Sequence, residues 1–202
     1  MGNALADVLF GNVNPSGKLP VTFPRNESDT PVSSPEQYSR TEKVARFSEG
    51  LNVGYRGYDE FGIEPLFPFG YGLSYTSFAY SQLQVTPEMN NGAGPIQVSF
   101  TITNTGGWAG AEIAQVYLGL PASTGEPPKR LVGWAKVELM PGETKEASVT
   151  LDPNATSRPL SYWNVNINGW EIVSGDYQVY VGASSRDIRL TGTMRVRYAG
   201  KK

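Results

Sequence analysis

The carboxylates that could form an acid/base pair lie in one stretch of the sequence: Glu49, Asp59, Glu60 and Glu64. General acid/base chemistry needs two carboxyl groups that rigid elements hold to within about 0.5 Å. The surrounding residues have no sustained helical or strand periodicity, and Arg46 and Arg56 lie nearby. We therefore interpret the four carboxylates as solvated, or as partners of these arginines in surface ion pairs that contribute little to stability.

The residue types that most often carry catalysis are missing. The 202 residues contain no cysteine and no histidine, which excludes disulfides, thiolate metal sites, cysteine nucleophiles and the Ser-His-Asp triad. Nearly every kind of zinc site is excluded as well. The glycines on either side of Tyr71 follow no strand that leads into a helix, so they indicate turns and not a phosphate-binding loop. We expect neither a metal nor a cofactor.

The charge and hydropathy patterns limit the partners of the chain. Seventeen basic residues against nineteen acidic ones give a net charge of −2, which is poor electrostatics for gripping nucleic acid. No apolar run approaches the ~18–20 residues that span a bilayer, and the first residues lack the basic region of a signal peptide. We expect neither a nucleic-acid nor a membrane partner, and secreted, periplasmic and cytoplasmic locations all stay open.

A guanidinium stands among aromatic rings near the middle of the chain, at Tyr55, Arg56 and Tyr58. This chemistry suits stacking on a sugar or clamping a hydroxyl, and it equally suits a latch that docks the segment on another body. The same alternatives apply to the aromatic residues that follow: Phe67, Phe69, Tyr71 and Tyr75. We favour docking for both groups, because aromatics that alternate with proline and glycine are more often anchors in a groove.

Two tryptophans raise the question of carbohydrate binding. Trp163 and Trp170 flank the loop at residues 164–169, where amides and indoles together could make a shallow sugar site. The alternative is that this loop covers one end of a domain, with the indoles lying over the core. Trp134 falls on a predicted strand, so we expect it to pack in the core or the sheet, and we place Trp108 at the tip of a hairpin.

The first 76 residues do not read as a domain of their own. The spacing of Ala4, Leu5, Val8 and Leu9 predicts a short helix, and residues 18–24 read as a strand bounded by prolines. Residues 25–76, here the aromatic arm, show neither period, yet they are too rich in aromatics for a disordered linker. We predict that residues 1–24 are the tail of a larger α/β unit and that the aromatic arm is ordered along the surface of another body.

Residues 77–200 change to a period of two. Apolar and polar residues alternate cleanly from Ile96 to Thr103, and seven short strands separated by turn signals fit within about 120 residues. The strands are centred on residues 78–85, 96–102, 113–118, 132–139, 147–151, 177–181 and 194–198. This pattern predicts a mostly β protein whose main domain is a seven-stranded fibronectin-III/immunoglobulin-like sandwich, and the absence of cysteine favours the fibronectin variant.

Three phrases stand out in the first 75 residues: residues 14–24 read NPSGKLPVTFP, residues 49–59 read EGLNVGYRGYD, and residues 65–75 read PLFPFGYGLSY. In this order they resemble family 3 of the glycoside hydrolases, the β-glucosidase and β-xylosidase group. The rest is similar to the fibronectin-III-like domain of that family, through NTG at 104–106, GAE at 110–112, QVY at 115–117, KRLVGW at 129–134 and PGE at 141–143. Gly57 and Trp134 depart from it, since we expect an aromatic residue and phenylalanine there.

The resemblance implies a role without catalysis for this chain. Family 3 enzymes are retaining hydrolases that need a nucleophile and an acid/base group. The family's nucleophilic aspartate lies in a Ser-Asp-Trp-like motif on a barrel domain, and no such motif occurs here. Its acid/base glutamate lies before the phrase at residues 14–24, and none of the thirteen residues that precede Asn14 is a glutamate. We expect this chain alone to be inactive.

The resemblance also implies an organisation and a partner. It makes residues 1–24 the end of an α/β-sandwich catalytic domain, residues 25–76 a docking arm, and residues 77–200 a fibronectin-III-like domain. We expect the chain to brace the catalytic domains of a parent enzyme that hydrolyses terminal β-D-glucosides, with those domains in cis or on a separate chain. The alternatives are a module that binds oligo- or polysaccharide, or a protein-interaction module acting alone or in trans.

Overall fold

The computed structural model describes residues 2–37 and 44–198. Two helices precede the sheets, α1 (Gly2–Leu9) and α2 (Tyr55–Glu60). The strands are β1 (Phe78–Thr86), β2 (Met89–Asn90), β3 (Ile96–Asn104), β4 (Gly110–Gly119), β5 (Arg130–Leu139), β6 (Thr144–Leu151), β7 (Tyr162–Asn164), β8 (Gly169–Glu171), β9 (Gly175–Gly182) and β10 (Ile188–Val196). None of the helices within the described ranges is long and apolar enough to cross a membrane.

The strands form a sandwich of two sheets. One sheet has the order β1-β3-β6 and the other has the order β2-β10-β9-β4-β5. Every neighbouring pair in the two sheets is antiparallel except β2 with β10. The prediction of a mostly β, fibronectin-III-like sandwich is confirmed, and all seven predicted strands are present. The three short strands β2, β7 and β8 were not predicted.

The core lies between the two sheets, where the alternating residues point inward. On β3 the side chains of Ile96, Val98, Phe100 and Ile102 are all buried, and they pack against apolar residues of β4, β6, β9 and β10. Burial of apolar surface at roughly 25 cal/mol per Å² drives this packing. The alternation fails on β4, whose last six residues are all buried. Something must therefore cover the outer face of the five-stranded sheet at this strand.

Buried phenols make the sandwich sensitive to alkali. Tyr177 is fully buried and donates its hydroxyl to the carbonyl oxygens of Leu160 at 3.1 Å and Val173 at 3.0 Å. Burial raises the pKa of Tyr177 to about 12. Burial is also the main cause that raises the pKa of Tyr117 and of Tyr80, and the carboxylate of Glu112 adds to it for Tyr80.

We predict that the free energy of unfolding falls as the pH rises from about 10 to about 12. The folded pKa values lie above the ordinary value near 10, so the stabilisation is complete below pH 10 and is lost as the phenols ionise on unfolding. Each such tyrosine steepens the decline by about 1.4 kcal/mol per pH unit. Urea unfolding at increasing pH measures the slope, which Tyr177→Phe should reduce. An identical slope for that variant would contradict the argument.

The first 75 residues pack loosely by comparison. The predicted helix is confirmed as α1, but none of its residues is buried. The predicted strand at residues 18–24 is wrong, because only a single bridge, between Phe23 and Phe67, is regular. The prolines at positions 20 and 24 lack the N–H that a continuous ladder needs. Residues 25–75 were predicted to lack regular elements, whereas the structure also has α2 and a 3-10 turn at Glu27–Asp29.

Candidate docking surface and tryptophan cleft

The aromatic arm covers the outer face of β4. The ring of Tyr55 stacks on Phe69 with centroids 4.9 Å apart and meets Tyr117 of β4 edge-on at 5.8 Å. The Tyr55 hydroxyl accepts a hydrogen bond from the backbone N–H of Leu131 at 2.7 Å. Tyr58, on the next turn of α2, is 3% exposed. These contacts explain why β4 is buried on both faces, and they show that part of the arm lies on the sandwich of its own chain.

Gln115 on β4 connects the arm to the sandwich through hydrogen bonds. Its Nε2 donates to the carbonyl oxygens of Gly70 at 3.0 Å and Ala183 at 2.9 Å. Its Oε1 accepts from the hydroxyl of Tyr117 at 2.5 Å. Gly70 has a φ of +80° and leaves no room for a side chain, because a Cβ there would meet the carboxamide of Gln115. The arm is thus locked at this position by a fully bonded, buried amide.

A buried ionic cluster ties α2 to two loops of the sandwich. The carboxylate of Asp59 lies 2.5 Å from the Nζ of Lys129 and 3.2 Å from the Nε of Arg186, and its side chain is only 5% exposed. Arg186 also donates to the carbonyl oxygens of Tyr58 at 2.9 Å and Ile63 at 2.8 Å. The ion pairs of Asp59 therefore hold α2 on the sandwich in addition to the aromatic contacts of Tyr55.

The interpretation of Asp59 as a solvated carboxylate, or as a partner of Arg46 or Arg56, is wrong. Its partners are Lys129 and Arg186, which the sequence places far away. Glu60 and Glu64 are exposed, as expected. No group of three or more side chains that could hold a metal ion occurs among residues 2–37 and 44–198.

A second ionic contact fastens the residues that precede the arm. The Nζ of Lys18 lies 2.9 Å from the carboxylate of Glu112 on β4, which also accepts from the hydroxyl of Tyr80 at 3.0 Å. Asn14 donates to the carbonyl of Ala109 at 2.9 Å and accepts from the N–H of Tyr75 at 2.9 Å. The phrase at residues 14–24 is therefore held near the start of β4.

Many apolar side chains of the first 75 residues are exposed. Phe67 and Tyr75 are 38% and 45% exposed, and the ring of Phe67 contacts those of Phe23 at 6.3 Å and Tyr71 at 5.1 Å. Within residues 2–37 and 44–198, twenty-four large apolar side chains are exposed, and sixteen of them precede residue 76. We call six of them, outside the rings just named, the exposed apolar face: Leu9, Phe10, Phe47, Phe61, Leu66 and Leu73.

The predicted docking residues therefore divide into two groups. Tyr55, Phe69 and Tyr75 contact the sandwich, the last through Trp108 with ring centroids 6.5 Å apart, whereas Phe67 and Tyr71 pack on each other. Tyr58 is buried. Arg56 belongs to neither group, because it lines a separate cleft.

That cleft is formed with the predicted tryptophan pair. Trp163 on β7 and Trp170 on β8 lie opposite one another in a two-stranded hairpin, with centroids 5.5 Å apart and rings inclined at 83°. They are 45% and 48% exposed. The guanidinium of Arg158 lies 5.7 Å from the centre of the Trp170 ring. The indoles thus form a corner that solvent reaches.

The space beside this corner, here the tryptophan cleft, has a volume of about 560 Å³. Arg56, Glu126, Arg130 and Ser157 line it together with the two indoles. One Nη of Arg130 donates to the carbonyl oxygens of residues 158, 159 and 161, and the other lies 3.7 Å from the carboxylate of Glu126. Burial lowers the pKa of the Arg130 guanidinium from its ordinary value, and the positive charge of Arg56 lowers it further.

Sequence reasoning missed several residues of these sites. No local sequence pattern predicts the polar contacts of four residues: Lys129, Arg186, Gln115 and Arg130. Lys129 and Arg130 do belong to the phrase KRLVGW. The expectation that Trp134 packs in the core or the sheet is wrong, because its side chain is 66% exposed. It lies on β5 at a position that faces away from the core.

The fold and the site define a fibronectin-III-like domain that holds a long N-terminal segment against one of its sheets. The model for the fibronectin type III-like domain matches residues 112–185, and the model for the glycosyl hydrolase family 3 C-terminal domain matches residues 1–75. The chain belongs to glycoside hydrolase family 3 and corresponds to the C-terminal part of its members.

Relatives cover nearly all of the chain. It is 47% identical to thermostable beta-glucosidase B of Acetivibrio thermocellus, over 97% of this chain and 25% of that protein. It is 46% identical to probable beta-glucosidase L of Emericella nidulans, over 96% of this chain and 27% of that protein. The chain spans about a quarter of the length of the curated relatives it matches.

Solved structures agree in fold. Beta-glucosidase 3B from Thermotoga neapolitana, in complex with α-D-glucose, matches with a TM-score of 0.84 and 42% identity, over 96% of this chain and 26% of that one. The GH3 beta-glucosidase of Bifidobacterium adolescentis matches with a TM-score of 0.88 and 39% identity, over 99% of this chain and 28% of that one.

Proposed function

We propose that this chain is the non-catalytic part of a family 3 β-glucosidase, in which the exposed apolar face docks against the catalytic domains and the sandwich braces them. The relatives are named as β-glucosidases, which supports a whole protein that hydrolyses terminal β-D-glucosides. The motifs that carry the family's nucleophile and acid/base group are not found in these residues. The chain on its own therefore does not turn over a glucoside.

The distribution of apolar side chains is the observation that carries this proposal. Among the described residues, Tyr58 is the sole large apolar side chain from residues 2–75 that is buried, and Phe10 and Phe47 are 83% and 82% exposed. We infer that these side chains form an apolar patch, and exposed patches of this kind mark interaction sites. The sandwich has a hydrophobic core of its own. The surface that needs a partner to bury it is therefore the one on the first 75 residues.

The sandwich contributes by holding that surface in shape. A stretch with two short helices and few buried side chains cannot offset the entropy of its own ordering. The aromatic contacts of Tyr55, the amide of Gln115 and the ion pairs of Asp59 supply the missing contacts. The catalytic domains then meet a preformed face, which lowers the entropic cost of docking.

A chimera tests the proposal. We would join the preceding part of the Acetivibrio thermocellus enzyme to this chain in place of its own matching quarter, and assay an aryl β-D-glucoside. The chimera should hydrolyse it, and Phe10→Asp or Phe47→Asp should destabilise the chimera by about 2 kcal/mol or more, because each removes a buried phenyl ring from the interface. Thermal melting measures the change, and kcat/KM should fall with it.

Two controls accompany the chimera. The same variants should leave the melting temperature of the isolated chain unchanged, since both rings are exposed there. Met140→Asp, at a side chain 63% exposed outside the face, should leave the chimera unchanged. Unaltered stability and activity of the chimera carrying both face variants, or turnover of the glucoside by the isolated chain, would refute the proposal.

A further inference from the structure

The tryptophan cleft is a built pocket that the docking role leaves unused. Its volume of about 560 Å³ falls within the roughly 300–1,000 Å³ typical of small-molecule sites. Trp163 and Trp170 present two indole surfaces at nearly a right angle, each about half exposed. Indoles usually bury most of their large apolar surface, whereas this hairpin holds both of them out at the mouth of a cavity.

The hairpin that carries the indoles is held together by side-chain hydrogen bonds. The carboxylate of Glu171 accepts from the hydroxyl of Tyr162 at 2.7 Å and from the amide of Asn164 at 2.5 Å. These two bonds lower the pKa of the Glu171 carboxyl. The strands are paired in register from Tyr162 with Glu171 to Asn164 with Gly169. The corner made by the indoles is therefore preorganised, as a binding site requires.

The charge of the cleft is unbalanced. Arg56 and Arg130 face a single carboxylate, that of Glu126, which pairs with Arg130. Arg130 is committed to backbone carbonyls as well. Within residues 2–37 and 44–198, Arg56 has no ion-pair partner closer than 4 Å. A guanidinium in this position recognises a carboxylate with two parallel hydrogen bonds.

We propose that the tryptophan cleft binds a saccharide residue that bears a carboxylate, with its ring against the indoles of Trp163 and Trp170 and its carboxylate on Arg56. The flat, weakly polar face of a pyranose packs on an indole, and the carboxylate neutralises the excess positive charge of the cleft. Ser157 and Glu126 line the same space and offer partners for ring hydroxyls. This site goes beyond the bracing role and needs no residue of another domain.

Calorimetric titration of the 202-residue chain tests the proposal with two probes, tetragalacturonate and cellotetraose. The acidic probe should bind at least tenfold more tightly than the neutral one, and raised salt should reduce that advantage. Arg56→Gln should weaken binding of tetragalacturonate about tenfold and leave the neutral probe unchanged. Trp170→Ala should weaken both probes, with Trp163→Ala as the second variant in case the hairpin fails to fold.

Matched variants outside the cleft serve as controls. Trp134→Ala removes an indole that is 66% exposed, and Arg197→Gln removes an exposed arginine, and neither residue lines the cleft. Both should bind tetragalacturonate as the unmodified chain does. No binding of the acidic probe, equal binding of the two probes, or an Arg56→Gln variant that binds like the unmodified chain would each overturn the proposal.

Discussion

Asp59→Ala should release α2 from the sandwich. The carboxylate lies between Lys129 and Arg186, and its removal leaves two cations close together without their counter-charge. Breaking a buried ionic contact in this way costs about 3–5 kcal/mol. Native-state hydrogen exchange measures the loss at the backbone amides of Phe61 and Ile63. These amides donate to the carbonyl oxygens of Gly57 and Tyr58 at the C-terminal end of α2.

The exposed pair of Asp176 with Arg195 is the control for that experiment. The two side chains are 48% and 55% exposed, so Asp176→Ala should leave the free energy of unfolding nearly unchanged. If the amides of Phe61 and Ile63 exchange at the same rate in Asp59→Ala as in the unmodified chain, the ionic cluster does not hold the helix.

Gly70→Ala should weaken the seat of the arm on β4 by about 2–5 kcal/mol. The backbone φ of +80° costs an alanine about 1–2 kcal/mol, and overpacking adds about 1–3 kcal/mol. Gln115 cannot move aside cheaply, because its amide makes three hydrogen bonds, to Gly70, Ala183 and Tyr117, and two of them are buried. Urea unfolding and exchange at the amide of Ser185, which donates to the carbonyl of Phe69, report the loss.

Gly142→Ala separates the cost of backbone strain from the cost of overpacking against Gln115. Gly142 has a φ of +75°, and no atom lies within 4 Å of the point that a Cβ would occupy, so an alanine there meets the backbone strain without the clash. We expect a loss of about 1–2 kcal/mol. Equal losses for Gly70→Ala and Gly142→Ala would mean that the contact with Gln115 is unimportant.

The sandwich could be predicted from the sequence because its strands alternate apolar and polar residues, and this alternation shows which side chains are buried. The residues from Ile96 to Thr103 alternate, and the structure buries their apolar face. The pattern is weaker where another part of the chain intervenes. On β4 the outward side chains of Gln115 and Tyr117 are buried by the arm, so a periodicity of two could not predict its burial pattern or its full length, Gly110–Gly119.

The candidate sites were predictable as residue types and not as arrangements. Arg56 and the tryptophans at 163 and 170 were each candidates for sugar contact, but more than a hundred residues separate them in the sequence, and only the packing of α2 brings them into one cleft. The partners of Asp59 were missed for the same reason. The sequence shows where a charged residue is, whereas the tertiary structure determines which residue it pairs with.

The connection between α2 and Arg186 has a consequence for biosynthesis. The hydrogen bond from Arg186 to the carbonyl of Tyr58 spans 128 residues. At ribosomal rates of ~5–20 residues per second, the helix emerges roughly 6 to 25 s before the arginine that completes its fastening. During that interval the aromatic arm has no finished sandwich to lie on, so the aromatic side chains that it later packs on β4 stay exposed until the last strands have been synthesised.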